Sequence, residues 1–411
     1  MKKAPLKGMN DYLPQETALR DALQQKILNV YLKNGFSRIT TPIVEDAENL
    51  DKSEGGENLN LIFKILKRGE KLEKALANQN WDDLADMGLR YDLTLPLARF
   101  YAAHLTDLPQ PFKVIQIDRV YRAERPQKGR LREFVQCDID ILNDASPTAE
   151  IELILTTAEA LREIGLGAFT VKINDRSLLL ALLALFGFPE NQLLSVCMSF
   201  DKLDKIGPAG VCEELRQKGI SPTCIDRFAQ FIEAGDFRLE QVQSYLPDHE
   251  ALARLKYIQE TVCRLNHGAF PVVFDLSLVR GQGYYTGTIF EVVHNNYKGA
   301  IAGGGRYDKL IEKFGGAPTP AVGFSIGFER IYGLLKTADD SQRHLVPRLV
   351  LLYETDQFEA AWQTARSYQD QYQVTLVKAA KKLGKQLNQY QSKAYQAFMI
   401  YGKDDQPRLF E

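Results

Sequence analysis

Leu19, Leu23, Ile27 and Val30 recur four, four and three residues apart, which predicts an amphipathic helix that ends at Asn34-Gly35. FSRITTPIVED then reads as a strand interrupted by Pro42. Residues 51–88 are polar and show no period, so a loop-rich excursion is expected there. Regularity returns in GLRYDLTLPLARFYAAHL. Here Arg90, Asp92 and Thr94 alternate onto one strand face, and Thr94-Leu95-Pro96 reads as an N-cap that opens a helix.

KVIQIDRVYRAERP and REFVQCDIDIL predict two strands joined by the turn PQKGR. In the second, Val135, Cys137, Ile139 and Ile141 share one face, and Gln136, Asp138 and Asp140 share the other. A helix over 147–164 and the strand AFTVKIND follow, and from about 175 to 266 the pattern is mainly helical, an insertion without evident chemistry. Strands resume in FPVVFDLSLVRGQGYYTGTIFEVVHNN and KGAIAGGGRYD, and AVGFSIGFERIYGLLK runs from strand into helix. The pattern thus sets out a main domain over 1–336 and a polar linker at 337–345. From Val346 onward, strands RLVLLYE, VTLVK and AFMIYG alternate with helices in a small α/β unit.

The 411 residues allow two or three domains with a sizeable core, and 45% hydrophobic with 25% charged residues is ordinary for a soluble globular chain. A formal net charge of −2 gives no global pull on nucleic acid, so any such contact must come from local patches. The N-terminal MKKAPLKGMNDYLP has no apolar run behind its lysines, and LLLALLALFGF is internal and too short to span a bilayer. A cytoplasmic protein with no membrane segment is expected. Cys137, Cys197, Cys212, Cys224 and Cys263 form no C-x-x-C pair, and the five histidines are dispersed, so neither a disulfide framework nor a structural metal is indicated.

Local charge changes the picture. Arg122, Arg125, Lys128, Arg130 and Arg132 crowd around one turn in YRAERPQKGRLREF. Most charge runs are solvated faces, but four of these five are arginine, whose planar fork suits bidentate phosphate binding. They also flank a strand whose polar face, Gln136, Asp138 and Asp140, is expensive to bury unless it binds something. In LRYDLT, Asp92 and Thr94 would suit an ammonium group, although helix capping explains them equally well. LVRGQGYYTG could bring backbone and Arg280 close to a ligand, or be a plain hairpin. AGGGRYD lacks the G-K-[ST] of a phosphate loop, and Arg330 in GFSIGFER could simply pair with a carboxylate.

Each of these segments is weak alone. Their order resembles the class II aminoacyl-tRNA synthetases, most closely the histidyl-tRNA synthetase family, over most of residues 6–336 and part of the tail. KGMNDYLP resembles that family's opening, and FSRITTPIVED its motif 1, with Pro42 at a dimer interface. YRAERPQKGRLREFVQCDID resembles motif 2, AVGFSIGFER motif 3, and LVRGQGYYTG and AGGGRYD the histidine-specific segments. The resemblance implies an α+β fold: an antiparallel class II sheet flanked by helices, a helical insertion, and a small C-terminal α/β domain related to the anticodon-binding domain. It implies a homodimer acting on L-histidine, ATP with Mg²⁺ as the substrate complex, and tRNA(His).

By residue, the resemblance places Arg122 on the ATP α-phosphate, Glu124 and Arg130 around adenine and the outer phosphates, and Arg330 on the γ-phosphate and ribose side. It gives Arg280 the α-phosphate and the histidine carboxylate. Asp92, Thr94 and Gln136 would take the α-ammonium, and Asp140 and Tyr285, with Tyr284 beside them, would read the imidazole. Two departures stand out. Gly283 replaces an aspartate common in the family. The tail, ending at DDQPRLFE, holds about three strands and two helices where the family has a five-stranded domain, although KAAKKLGKQ (Lys378, Lys381, Lys382, Lys385) resembles its RNA-facing part. A second reading follows from the short tail: a synthetase-like regulatory subunit of ATP phosphoribosyltransferase that binds histidine without aminoacylation. Such paralogues tend to lose motif 2 and motif 3 arginines, which this chain retains.

Overall fold

The computed structural model describes residues 3–51, 61–127, 129–235, 237–279, 284–336 and 346–410, with only the backbone at Asp82 and Asp204. The chain divides into two compact units, Met1–Ala338 and Asp339–Glu411. The stretch expected to link them, 337–345, lies outside the described residues.

In the first unit, α1 (Pro14–Lys33) buries Leu19, Leu23, Ile27 and Val30 and ends at Asn34, as their spacing predicts. The next segment forms two short strands in different sheets, β1 (Ser37–Arg38) and β2 (Val44–Asp46), with Pro42 between them. The stretch expected to be loop-rich is more regular than its sequence suggests. After α2 (Ala47–Leu50) come β3 (Phe63–Leu66), α3 (Glu70–Ala77) and β4 (Ala85–Leu89), and β2, β4 and β3 pair antiparallel in a three-stranded sheet. The pattern hid this sheet because β3 alternates half-buried with exposed positions and buries no side chain fully.

The sequence reading of Arg90, Asp92 and Thr94 on one strand face is corrected. β4 stops at Leu89, and Thr94 is the first residue of α4 (Thr94–His104) rather than its cap. Asp92 does the capping, its Oδ1 accepting the Leu95 N–H at 3.1 Å. Arg90 is fully buried and turned to other partners: it donates to the carbonyls of Thr41 (2.8 Å) and Arg119 (2.9 Å) and pairs with Asp118 at 2.8 Å. A buried guanidinium needs that many acceptors.

The main sheet is assembled from β5 (Phe112–Tyr121), β6 (Glu133–Leu142), then, after α5 (Thr148–Glu163), β7 (Phe169–Asp175). Six helices intervene: α6 (Arg176–Leu185), α7 (Glu190–Phe200), α8 (Leu203–Gln217, kinked at Gly207), α9 (Pro222–Ala234), α10 (Leu239–Tyr245) and α11 (Glu250–Leu265). Then follow β8 (Val272–Phe274), β9 (Thr288–His294), β10 (Ala300–Arg306), β11 (Ala321–Gly327) and α12 (Phe328–Leu335). The strand order is β1-β5-β6-β11-β10-β9-β7-β8. The expected antiparallel sheet forms in all the inner pairings, and the two edge strands, β1 on β5 and β8 on β7, add to it in parallel. The six-helix excursion from β7 supplies the long crossover that a parallel return requires.

Asp175 opens that excursion. Its Oδ1 accepts the Ser177 N–H at 2.9 Å and the Ser177 hydroxyl at 2.5 Å, capping α6. Asp175→Ala should lower unfolding stability by about 1–2 kcal/mol, read from the urea midpoint. An unchanged midpoint would show that the cap adds nothing.

The second unit contains β12 (Arg348–Tyr353), α13 (Phe358–Ser367), β13 (Gln373–Lys378), α14 (Leu383–Gln391), β14 (Ala397–Ile400) and β15 (Arg408–Leu409). Its sheet, β13-β12-β14-β15, has four strands rather than about three; the last is two residues long, too short to show a period. Leu349 and Leu351 pack with Ala361 and Ala365 on one face, and Val350 and Leu352 with Tyr395 on the other. A parallel strand covered on both faces reads as the unbroken apolar run LVLL. Among the described residues no single helix is long and apolar enough to cross a membrane; α6 and α7 pass only as a pair, bent by 112°.

Candidate active site

The polar face of β6 forms the floor of a cleft of about 380 Å³. Its apolar face, with Val135, Cys137, Ile139 and Ile141, is buried in the core, as the alternation requires. Antiparallel β6 and β11 set Gln136 opposite Gly327, Asp138 opposite Ser325, and Asp140 opposite Gly323. At about 3.4 Å per residue, Asp140 lies roughly 20 Å along the strand from Phe134 at the hairpin end. The cleft therefore has polarity: arginines where the hairpin and α12 enter, carboxyls further along.

Of the residues singled out in the sequence, Asp92, Thr94, Arg122, Glu124, Arg130, Gln136, Asp138, Asp140, Tyr284, Tyr285 and Arg330 line this one cleft. Of the other hairpin cations, Arg125 and Arg132 do not line it. Pro42 lies elsewhere, exposed between β1 and β2, its carbonyl accepting from Arg90 at 3.3 Å. Arg280 and Lys128 fall outside the described residues, as does Gly283.

At the arginine end, Arg122 donates from Nε to the Tyr91 carbonyl at 3.0 Å and lies 5.0 Å from the centre of the Phe134 ring. Arg130 is 58% exposed and pairs loosely with Glu124 at 3.4 Å, which leaves it free to turn toward a ligand. Arg330, in the first turn of α12, donates to the Ala300 carbonyl.

At the carboxyl end, the Tyr307 hydroxyl donates to Asp140 Oδ1 at 2.6 Å, and the Tyr284 hydroxyl to Asp92 Oδ2 at 3.4 Å. Tyr284 packs edge-on against both Tyr285 and Tyr307, with ring centres 5.1 and 6.0 Å away. Gln136 donates to Ser325 Oγ at 2.8 Å. Burial pushes Asp140 up to about 7, the Tyr307 hydrogen bond opposing this and the charge of Asp92 adding to it. Burial likewise raises Asp92 and, with the charge of Asp140 beside it, pushes Asp138 well above the usual carboxylate range. Among the described residues neither Gln136 Oε1 nor Asp138 Oδ1 has a hydrogen-bond partner. Crowded carboxyls and orphaned acceptors suit a ligand that brings N–H donors and positive charge.

Glycine makes this floor possible. A Cβ at Gly304 would run into the Gly323 carbonyl oxygen, and a Cβ at Gly323 into the Asp140 carboxylate. In AGGGRYD, Gly304 thus allows close approach of neighbouring strands, and Gly303 and Gly304 line the cleft. Arg306, in the same motif, points away from the cleft. It binds Glu150 through two hydrogen bonds of 2.8 and 2.7 Å and so anchors the strand that presents Tyr307.

Nothing in the sequence marks Phe134, Tyr307, Ser325 or Glu329, all of which line the cleft. Tyr307 stands inside AGGGRYD, where the glycine cluster is the more conspicuous signal. Among the described residues no cluster of three His, Cys, Asp or Glu side chains is arranged to hold a metal ion.

Comparison with known proteins agrees with the geometry. The family described as Histidyl-tRNA synthetase matches residues 8–331. A protein named histidine–tRNA ligase from Leifsonia xyli subsp. xyli is 42% identical over 363 residues, covering 85% of this chain and 83% of its own. The crystal structure of histidyl-tRNA synthetase from Nostoc sp. PCC 7120 superposes with a TM-score of 0.78 at 27% identity, over 97% of this chain and 91% of that one. An ATP phosphoribosyltransferase regulatory subunit/histidyl-tRNA synthetase from Bacillus halodurans gives a TM-score of 0.77 at 23% identity, over 97% and 98%, which is a likeness of fold alone.

Proposed function

The chain belongs to the histidyl-tRNA synthetase family, and from that premise we infer that it is a histidine–tRNA ligase, activating L-histidine with ATP and transferring it to the 3′ end of tRNA(His). The observation that carries the reading is the polarity of the cleft, arginines at one end and hydrogen-bonded carboxyls at the other, which fits a triphosphate and an amino acid laid head to head.

In the first step a histidine carboxylate oxygen attacks the α-phosphorus of Mg²⁺-bound ATP, pyrophosphate leaves, and histidyl-adenylate forms. The nucleophile is already an anion, so the protein supplies position and charge rather than a base. Arg122 takes the α-phosphate, Arg130 and Glu124 the outer phosphates and adenine, and Arg330 the γ-phosphate side; Phe134 offers adenine an aromatic surface. Arg280 is assigned by sequence alone, to the α-phosphate and the histidine carboxylate. Asp92, Thr94 and Gln136 receive the α-ammonium. Asp140 and Tyr285, with Tyr284 beside them, read the imidazole, and a ligand lacking its ring N–H leaves a buried acceptor unpaired. In the second step a hydroxyl of the terminal tRNA ribose attacks the acyl carbon, and AMP leaves.

The partners follow the same reading. Ile43, Val44, Leu66 and Met87 are exposed on or beside the small β2-β4-β3 sheet next to Pro42, an apolar surface that a second copy of the chain would cover. In the second unit Lys378, Lys381, Lys382 and Lys385 are all exposed where β13 gives way to α14, which suits contact with the tRNA backbone. The protein acts in the cytoplasm, where its substrates are.

The raised Asp140 gives a pH signature. Burial favours the neutral carboxyl, whereas a bound ring N–H favours the charged one, so histidine binding releases a proton below about 7. Histidine affinity, corrected for the ligand's own imidazole, should rise about fivefold from pH 6 to 7 and about twofold more by pH 8, then level off. Calorimetric titration of wild type and Asp140→Asn checks this: the variant should bind weakly with a flat profile, and a slope that survives in it would contradict the assignment.

The activity itself is tested by histidine-dependent exchange of labelled pyrophosphate into ATP. Exchange with histidine and with no other amino acid supports the ligase. Histidine binding without exchange supports the regulatory-subunit reading instead, and copurification with a phosphoribosyltransferase would then be sought.

A further inference from the structure

The N-terminal segment touches both arginine-bearing walls of the cleft without entering it. The Gly8 carbonyl accepts the Arg132 N–H at 2.7 Å, at the base of the basic hairpin. Gly8 has a φ of +88°, and a Cβ there would lie 2.7 Å from Pro126 Cγ and 3.0 Å from Arg132 Cγ, so only glycine lets the hairpin close onto it.

Twelve residues further on, Arg20 reaches the other wall. Its guanidinium binds Glu329 through two hydrogen bonds of 2.6 and 2.7 Å, and Tyr12 donates to the same carboxylate at 3.1 Å. Arg20 is only 7% exposed, 3.9 Å from the Tyr12 ring centre and 5.0 Å from those of Phe328 and Tyr332. An ion pair boxed in by aromatic rings is little screened, and its bidentate geometry fixes direction as well as distance. Glu329 in turn accepts the Val135 N–H of β6 at 3.3 Å and directly precedes Arg330. One carboxylate therefore ties α1, α12 and β6 together at the arginine end.

We infer that the segment from Gly8 to Arg20 is a brace that sets the spacing between the basic hairpin and α12, and that Gly8 and Arg20 are positioning residues for the nucleotide triphosphate and not for the amino acid. The carboxyl end has its own anchor, the Arg306–Glu150 pair, which shares no residue with the brace. Arg20 has a second effect. It neutralises Glu329, a carboxylate on the cleft wall that would otherwise repel a polyanion. The inference rests on the proposed division of the cleft between ATP and histidine.

The test is calorimetric titration with MgATP and, separately, with histidine, on wild type, Arg20→Ala, Arg20→Lys and Gly8→Ala, with a thermal melt of each. Arg20→Ala should weaken MgATP binding by at least about tenfold, and Gly8→Ala by about fivefold, with histidine affinity within about twofold in both. Arg20→Lys keeps the charge but loses the fork, and should fall between wild type and Arg20→Ala. Should Arg20→Ala fail to fold, Gly8→Ala, at a surface turn, decides alone. Unchanged MgATP affinity, or equal loss of both ligands, overturns the brace while wild type still binds both. Wild type that binds histidine but no MgATP overturns the ATP reading of the cleft, and the brace with it.

Discussion

Gly323→Ala should reduce histidine-dependent pyrophosphate exchange by about a thousandfold while the protein stays folded. The added methyl would overlap the Asp140 carboxylate, with Asp140 Cγ only 2.8 Å away and Tyr307 Cε1 at 3.3 Å. Asp140 would have to swing off its hydrogen bond with Tyr307, leaving a buried hydroxyl unpaired and the imidazole without its acceptor. The backbone at 323 pairs with β6 and β10 strands through groups that a methyl does not remove, so the sheet should persist. Histidine titration and far-UV circular dichroism would measure the two halves of this claim. Near-normal histidine affinity in the variant would mean that Asp140 does not hold the ring.

Arg122→Ala should lower kcat/KM for adenylation by about 10²–10³, the range for removing one preorganised donor from developing charge. Arg122 is already fixed before any ligand arrives, by the Tyr91 carbonyl at 3.0 Å and the ring of Phe134. A group held that way loses little freedom in the transition state, so its removal should appear mainly in kcat. Stopped-flow or single-turnover adenylate formation would separate that from weaker ATP binding. A change confined to KM would move Arg122 from transition-state stabilisation to ground-state binding.

Some of this site could be read from the chain alone because it rests on local periodicity. A strand has period two, so Gln136, Asp138 and Asp140 had to share a face once Val135, Cys137 and Ile139 were seen to be apolar. Arg330 is placed at the site only by the resemblance of AVGFSIGFER to motif 3, since the residues alone leave it open to pair with a carboxylate. Tyr307 was not legible as a partner of Asp140, because their contact depends on the strand order β6-β11-β10, which no nearby residue encodes. Glu329 carries no signal in the sequence, because its pairing with Arg20, 309 positions away, exists only in the fold. Arg90 misled for a different reason: alternation grouped it with Asp92 and Thr94, but a buried guanidinium's need for acceptors turned it toward Thr41 and Asp118.

The long-range contacts also show how labour is divided in the first unit. The hairpin and α12 carry the arginines, and both are held by the N-terminal segment. At the other end, Tyr307, which holds Asp140, directly follows β10, and Arg306 ties β10 to Glu150.

The account is tested most directly by incubating the protein with labelled histidine, MgATP and a tRNA(His) transcript, then measuring acid-precipitable label. It predicts label on tRNA(His), dependent on ATP and absent from a tRNA of another specificity. Exchange of pyrophosphate without transfer, or histidine binding with neither, would contradict the assignment as a histidine–tRNA ligase.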